Sequence, residues 1–305
     1  METIQIPGLE PVPPLGLGTW QWGDRLFWSY GKEYTGSDLE AAFKESLAAG
    51  VRLFDTAEVY GMGRSERFLG RFVRESGQRP LVVSKCFPFP WRFTRKSLIA
   101  ALRGSLKRLE LPRLDLYLLH WPWPPVPLEQ WAEALAEAYE LGLTRAVGVS
   151  NCDLPQMERV TRTLARHGVK LAANQVEYSL LERKPEREGL LEAMHREGVV
   201  LMAYSPLGMG WLTGKYSPHN PPTGPMRGRK YRLSEGKIPG LLEALREVAQ
   251  AHQATPAQVA IRWCIQKGTL PIPGAKTAAQ ARSNAGALHL RLSEAEMRRL
   301  EQAGA

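Results

Sequence analysis

Three apolar segments of this chain end on side chains that can hold or move a proton. Val51-Arg52-Leu53-Phe54 runs into Asp55, Thr56, Glu58 and Tyr60; Leu81-Val82-Val83 is followed by Ser84 and Lys85; and Leu114 to Leu119 ends on His120. Together they supply a carboxylate, a phenol, an ammonium and an imidazole. An ordinary phenol titrates near pKa 10, but a neighbouring ammonium favours the phenolate and lowers that value, while a carboxylate keeps the ammonium charged and oriented. The reading is therefore an acid centred on Tyr60, tuned by Lys85, with Asp55 orienting the lysine and His120 donating to a substrate oxygen or relaying the proton. Each residue alone has a plainer reading. A strand-end Asp often caps a helix, a Tyr near a turn often only packs, and a single His after an apolar strand is often hydrogen-bonded core. It is the arrival of all four at strand ends or in the following loop that favours chemistry.

Something must bring those strand ends to one place, and the rest of the chain reads as that device. Strand-like runs centred on Leu17, Phe54, Val83, Tyr117, Val147, Gln175, Ala203 and Ile272 alternate with helical patterns. Helices are expected from Ser37 to Ala49 ahead of Gly50, from Ser65 to Glu75, from Thr94 to Leu109, around Trp131, Leu135 and Tyr139, from Leu154 to Arg166 and from Pro185 to Glu197. Strands alternating with helices of this length argue for parallel pairing through right-handed crossovers, and eight repeats suit a closed barrel better than an open sheet. Residues 3–19 suggest a short hairpin ahead of the first barrel strand. Gly208 to Gly240 lacks helical periodicity and reads as a long loop. Beyond it, Thr255-Pro256 suits the start of a helix. Thr277 to Gln280 and Ser293 to Glu296 have the form of capping boxes, placing extra helices after the last strand. The fold class is thus α/β, a (β/α)8 TIM barrel with an N-terminal β-hairpin and extra C-terminal helices, in a single domain over 1–305.

Composition narrows the function classes. At 305 residues and 44% hydrophobic the chain can bury a sizeable core, and barrels of about 250 residues run as one domain. It has no run of about 18 apolar residues, and Met1-Glu2-Thr3-Ile4-Gln5 has no basic-then-apolar signal pattern, so neither a membrane role nor export is expected and the cytoplasm is the default. The formal charge of +9 favours anionic partners. Its Arg and Lys residues are dispersed among Glu on helices, as with Arg64, Arg67, Arg71 and Arg74 around Glu66 and Glu75, so nucleic acid is not expected. The three cysteines, Cys86, Cys152 and Cys264, have no metal-binding spacing and read as small buried hydrophobes; no metal is expected. Cys86 follows Lys85 directly, which leaves an oxidation-sensitive thiol open.

The order Phe-Asp-Thr-Ala-Glu-Val-Tyr-Gly (54–61), Ser-Lys (84–85) and Leu-Asp-Leu-Tyr-Leu-Leu-His (114–120) resembles the aldo-keto reductase superfamily, more closely its potassium-channel β-subunit-like and plant or bacterial branch. The resemblance continues through Val-Gly-Val-Ser-Asn (147–151), Asn-Gln-Val-Glu-Tyr (174–178), Ala-Tyr-Ser-Pro-Leu-Gly (203–208) and Pro-Ile-Pro-Gly-Ala-Lys (271–276), which is essentially the whole chain. It implies an oxidoreductase that reduces an aldehyde or ketone by hydride transfer from NADPH, with Asp55, Tyr60, Lys85 and His120 as the catalytic set. It also implies that Ser150, Asn151 and Gln175 hold the nicotinamide carboxamide and that Tyr204 stacks on the ring. Ser205, Pro206, Leu207, Gly208, Lys215 and Arg227 would follow the diphosphate and adenosine. Lys276 would meet the 2′-phosphate, and Gln280 and Asn284 the adenine. Gly18, Thr19, Trp20, Asp55 and Gly274 complete the implied cofactor contacts. Ser283 departs from the acidic residue often found just before that Asn.

The partner is then a small carbonyl compound; partner proteins are not readable. Trp22, in a loop that also holds Phe27, Trp28, Tyr30 and Tyr34, and Trp121, in Trp-Pro-Trp-Pro-Pro after His120, suggest an aromatic substrate pocket, although loop packing explains them equally. A second reading is a regulatory subunit that binds the cofactor and reports redox state with little turnover.

Overall fold

The computed structural model describes residues 2–217, 220 and 238–304. Eight strands pair in chain order, all parallel: β1 (Leu17–Gly18), β2 (Leu53–Asp55), β3 (Leu81–Cys86), β4 (Leu114–Leu119), β5 (Thr144–Ser150), β6 (Leu171–Glu177), β7 (Val200–Tyr204) and β8 (Leu270–Pro271). The last strand returns to the first. Gly16 N donates to Pro271 O at 3.0 Å, Gly18 N donates to Pro273 O at 3.1 Å, and Gly18 bridges Gly274 in parallel. The sheet therefore closes on itself as a (β/α)8 barrel, with a helix packed outside each crossover.

Because side chains alternate along a strand, each strand feeds two cores. Leu53, Leu81, Val83, Leu116, Leu118, Ala146, Val200 and Met202 form the cluster inside the barrel. Phe54, Val82, Cys86, Tyr117, Leu119, Val147, Val149 and Leu201 join the larger cluster between sheet and helices. The same period of two carries Asp55, Lys85, His120, Ser150 and Tyr204 to the inner side at the carboxyl ends of their strands. That end is where barrels of this kind keep their chemistry. The opposite end is plugged by the N-terminal hairpin. Ile4 N donates to Val12 O at 2.8 Å and Val12 N to Ile4 O at 3.1 Å, and Ile6, Leu9 and Val12 pack into the interior cluster.

Local sequence explains where the helices begin and where expectation and structure part. Thr35, not Ser37 or Asp38, caps the first helix, Gly36–Ala48, because Asp38 at the third helical position reaches back to the Thr35 backbone. The helix expected over Pro185 to Glu197 is two, Lys184–Arg187 and Leu190–Glu197, since Gly189 adopts φ 76 between them. Gly208 to Thr213 forms a short 3-10 segment rather than open loop, and Gly240 lies inside the helix Ile238–Ala251. Thr255 and Ser293 close full capping boxes. The one at Thr277 is half made: its hydroxyl accepts from Gln280 N, but the Gln280 side chain turns to Lys276 N at 2.8 Å instead of the cap backbone. No helix among the described residues is long and apolar enough to cross a membrane.

Candidate active site

The four reactive side chains meet at the carboxyl ends of β2, β3 and β4. Lys85 Nζ donates to Asp55 Oδ1 at 2.6 Å, to Thr56 O at 2.8 Å and to the Tyr60 hydroxyl at 3.3 Å. Gln175 Nε2 donates to the other Asp55 oxygen at 2.8 Å. The Tyr60 and His120 rings stand edge to face with centroids 5.8 Å apart. Tyr60 owes its position to an abrupt turn. Gly61, Met62 and Gly63 all take left-handed backbone conformations, turning the chain from Tyr60 into the helix Arg64–Ser76. A Cβ on Gly61 would stand 2.7 Å from Gly23 O. Met62 holds φ 57 without being glycine, a local strain of the kind that gathers at functional turns.

Burial opposes charge throughout this cluster. It raises the Asp55 carboxyl and lowers the Lys85 ammonium, and the 2.6 Å contact between them pulls each back toward its ordinary range. It also holds His120 well below the usual imidazole range, with the Lys85 charge acting in the same direction, so His120 is neutral at pH 7. Tyr60 departs from the expectation that Lys85 lowers it. Burial, reinforced by the Asp55 carboxylate, pushes the phenol well above its ordinary value, and one ammonium that is already paired with Asp55 does not reverse that. Tyr60 thus stands fully protonated in the neutral range. Cys86 is buried and its thiol is pushed up to about 12 by burial and by Glu58, which removes the thiolate that an oxidation-sensitive role requires.

Next to Tyr60, Glu58 holds the loop that follows β3. It accepts from Phe87 N at 2.7 Å and pairs with the Arg92 guanidinium, which also donates to Phe87 O at 2.7 Å. This clasp fixes an aromatic wall beside His120. The Phe87 ring stands edge-on to His120 at 5.6 Å and to Trp123 at 5.3 Å, and Trp121 stacks on Trp123 at 5.1 Å. Across the opening, Trp20 stacks on Phe27 at 4.8 Å and lies 6.3 Å from the Tyr60 ring.

A single cavity of about 990 Å³ runs from Tyr60, His120 and Trp121 to Gln280 and Asn284. Such a volume suits a long ligand. Near Tyr60 its wall is a chain of amide and hydroxyl groups. Ser150 Oγ donates to Gln175 O at 2.8 Å, Asn151 Nδ2 donates to His120 O and to Ser150 Oγ at 3.0 Å each, and Tyr204 OH donates to Asn151 Oδ1 at 2.9 Å. Among the described residues, two buried polar atoms of cavity-lining side chains, His120 Nδ1 and Gln21 Oε1, have no hydrogen-bond partner. Unsatisfied buried polar atoms in a site are where a ligand completes the bonding, so this wall fits a polar cofactor. At the far end Lys276 Nζ lies 3.3 Å from Glu33 Oε2 and 3.3 Å from Trp28 O, and Asn284 Nδ2 donates to Gly274 O at 3.3 Å.

Of the residues singled out in the sequence, Gly18, Trp20, Asp55, Tyr60, His120, Trp121, Ser150, Asn151, Gln175, Tyr204, Ser205, Pro206, Leu207, Lys215, Gly274, Lys276, Gln280 and Asn284 line this cavity. Lys85 sits behind it, bonded to Asp55 and to the Tyr60 hydroxyl. Three others do not line it. Trp22 is fully buried, donates its indole N–H to Ala275 O at 3.0 Å and packs against Phe72, so it is core rather than a substrate contact. Thr19 turns away to Ser65 and to Asp55 O. Gly208 is buried between the lining residues Leu207 and Met209, and a Cβ on it would meet the Leu181 side chain at 2.9 Å. Arg227 lies outside the described residues. Trp28 and Tyr34, from the aromatic loop after β1 read as a pocket wall, line the cavity; Gln21 and Glu33 of the same loop line it too and were missed, since no pattern in the sequence marks them.

A closed eight-stranded parallel barrel with a proton-handling cluster and a long polar-walled cavity at the carboxyl ends of its strands defines a barrel enzyme. Residues 14–305 match the model of the Aldo/keto reductase family, and the chain belongs to that family. It is 42% identical over 306 residues to the chloroplastic pyridoxal reductase of Arabidopsis thaliana, covering 96% of this chain and 83% of that protein. It is 32% identical to the methylglyoxal reductase YeaE of Escherichia coli, covering 98% and 94%. Among solved structures it is similar to an aldo/keto reductase from Klebsiella pneumoniae in complex with NADP and acetate, with TM-score 0.80, 30% identity and 98% and 94% of the two chains covered.

Proposed function

We propose that the protein is an NADPH-dependent reductase of planar aromatic aldehydes, with Tyr60 as the general acid. The observation that carries this reading is the Tyr60 hydroxyl at the cavity wall, 3.3 Å from Lys85 Nζ and beside a neutral His120. When bound, the cofactor supplies the hydride. The protein's own residues deliver the proton. Tyr60, fully protonated at neutral pH, donates to the carbonyl oxygen as negative charge develops there. The phenolate left behind is stabilised by Lys85, which Asp55 holds in place at 2.6 Å. His120 polarises the same oxygen from the other side as a neutral donor.

Ser150, Asn151 and Gln175 are the groups that would hold a carboxamide, and Tyr204 the ring that would cover it. Lys276 stands just before the capped helix Ala278–Gly286, where free backbone N–H groups already favour an anion, and would receive a 2′-phosphate. The Klebsiella relative with NADP supports that choice. The substrate class rests on Trp20 and Trp121, which line the cavity and are backed by Phe27 and by Trp123 and Phe87, and whose rings favour a flat ligand by stacking. The Arabidopsis pyridoxal reductase supports a heteroaromatic aldehyde of that shape. Three free buried cysteines accord with a reducing compartment such as the cytoplasm.

Oxidation of NADPH followed with pyridoxal, benzaldehyde and a short aliphatic aldehyde tests the reading. The two planar aldehydes should exceed the aliphatic one in kcat/KM by about tenfold, the equivalent of about 1.4 kcal/mol of stacking. Tight cofactor binding with no turnover of any aldehyde or ketone would overturn it in favour of a regulatory subunit.

A further inference from the structure

The lysine that this reading assigns to the 2′-phosphate already has an anionic neighbour. Lys276 Nζ pairs with the Glu33 carboxylate at 3.3 Å, donates to Trp28 O at the same distance, and lies over the Tyr34 and Trp28 rings at 4.5 and 5.2 Å from their centroids. Glu33 comes from the loop after β1 and Lys276 from the segment after β8, 243 residues later. Barrel closure makes them neighbours. The lysine side chain is 17% exposed and the glutamate 49%, and both line the cavity.

We propose that Glu33 is a specificity-determining residue: it limits how strongly the protein prefers a cofactor carrying a 2′-phosphate over one carrying a free 2′-hydroxyl. The inference rests on Lys276 receiving that phosphate. A 2′-phosphate arriving at Lys276 meets a second anion on the same ammonium. It must either displace Glu33, losing the ion pair, or share the lysine with it at like-charge distance, well inside a Debye length. Both outcomes weaken binding of the phosphorylated cofactor. A free 2′-hydroxyl has no charge to repel, and its O–H is a donor that a carboxylate accepts. Glu33 therefore acts with opposite sign on the two cofactors. The aromatic rings around Lys276 hold the ammonium in place whichever anion it meets.

Fluorescence titration of the full-length protein with NADPH and NADH, in wild type, Glu33→Gln and Lys276→Ala, tests this without recourse to turnover. Glu33→Gln keeps the shape and removes the charge. It should tighten NADPH by about three- to tenfold, the range of a partly exposed charge contact, while NADH stays unchanged or weakens. High salt should shrink the difference between wild type and Glu33→Gln for NADPH, because the effect is one of charge. An NADPH affinity within twofold of wild type, or equal tightening of both cofactors, overturns the role of Glu33. The two levels separate cleanly. If Lys276→Ala abolishes the NADPH preference and Glu33→Gln leaves it untouched, only the Glu33 inference falls. If Lys276→Ala weakens both cofactors equally, the assignment of the phosphate to Lys276 falls and the Glu33 inference falls with it.

Discussion

The barrel buries two aspartates at its opposite ends, and the contrast between them separates structure from chemistry. Asp115 is the second residue of β4, at the hairpin end. It accepts from Val82 N at 2.8 Å, from both Arg79 terminal nitrogens at 2.9 and 3.5 Å, and from Arg145 at 3.1 Å. Its cationic partners are guanidiniums, which never lose their charge in a protein. Asp55 closes β2 at the other end and accepts from one lysine and one glutamine. Its surroundings, Lys85, Tyr60 and His120, can all exchange protons, and His120 Nδ1 has no partner among the described residues. A saturated carboxylate with permanent cations can only hold the fold together. A carboxylate whose neighbours titrate and open onto a cavity can also serve a reaction.

Breaking the Asp55–Lys85 pair should damage turnover, and breaking the Asp115 cluster stability. Lys85→Met should lower turnover by about a hundredfold, since the cation that stabilises the Tyr60 phenolate is gone. It should also move the alkaline limb of the pH–rate profile upward, because the phenol, already raised by burial, loses the ammonium 3.3 Å from its oxygen. An unmoved limb would mean that Lys85 does not tune the acid. Asp115→Ala should cost about 2–3 kcal/mol in denaturant unfolding, a figure below that for a fully buried pair because Arg79 and Arg145 remain partly exposed. Its kcat should stay within about twofold; a large loss of turnover per folded molecule would blur the distinction between the ends.

A smaller effect belongs to His120. Its folded pKa lies below that of an unfolded histidine near 6.5, so below that pH the unfolded chain binds the extra proton. The stability from keeping His120 neutral is fully present above about pH 6.5 and is lost as pH falls toward the folded value, at up to about 1.4 kcal/mol per pH unit. Unfolding curves at pH 7 and pH 5.5 should lie closer together in His120→Gln than in wild type, whereas equal spacing would place the acid sensitivity elsewhere. Smallest is Trp121→Ala, which should raise KM for a planar aldehyde by about fivefold with kcat little changed, consistent with roughly 1 kcal/mol of ring contact. Equal loss for planar and aliphatic aldehydes would remove Trp121 from the recognition wall.

The two ends were not equally legible. Asp55, Lys85 and His120 stand out in the sequence because each lies at or just past the carboxyl end of a strand whose alternation points it the same way as the interior leucines and valines. The direction of the Tyr60 shift was not legible, because a string of residues names the charged neighbours but not the burial that outweighs them. Loop residues have no period to read. Trp20, Trp22 and Trp28 look alike in the sequence, yet Trp20 and Trp28 line the cavity while Trp22 is fixed in the core by its bond to Ala275 O. Glu33 and Lys276 lie near opposite ends of the chain, and only closure of β8 onto β1 brings them together.

The central claim is that Tyr60 delivers the proton while the rest of the cavity binds the cofactor. Tyr60→Phe removes one oxygen and leaves Lys85, Asp55 and His120 in place. With a planar aldehyde, kcat should fall by about 10²- to 10⁴-fold, and the NADPH dissociation constant measured by fluorescence on the same preparation should stay within about twofold. Turnover close to wild type in Tyr60→Phe would contradict the account, because no proton donor would then be needed at that position.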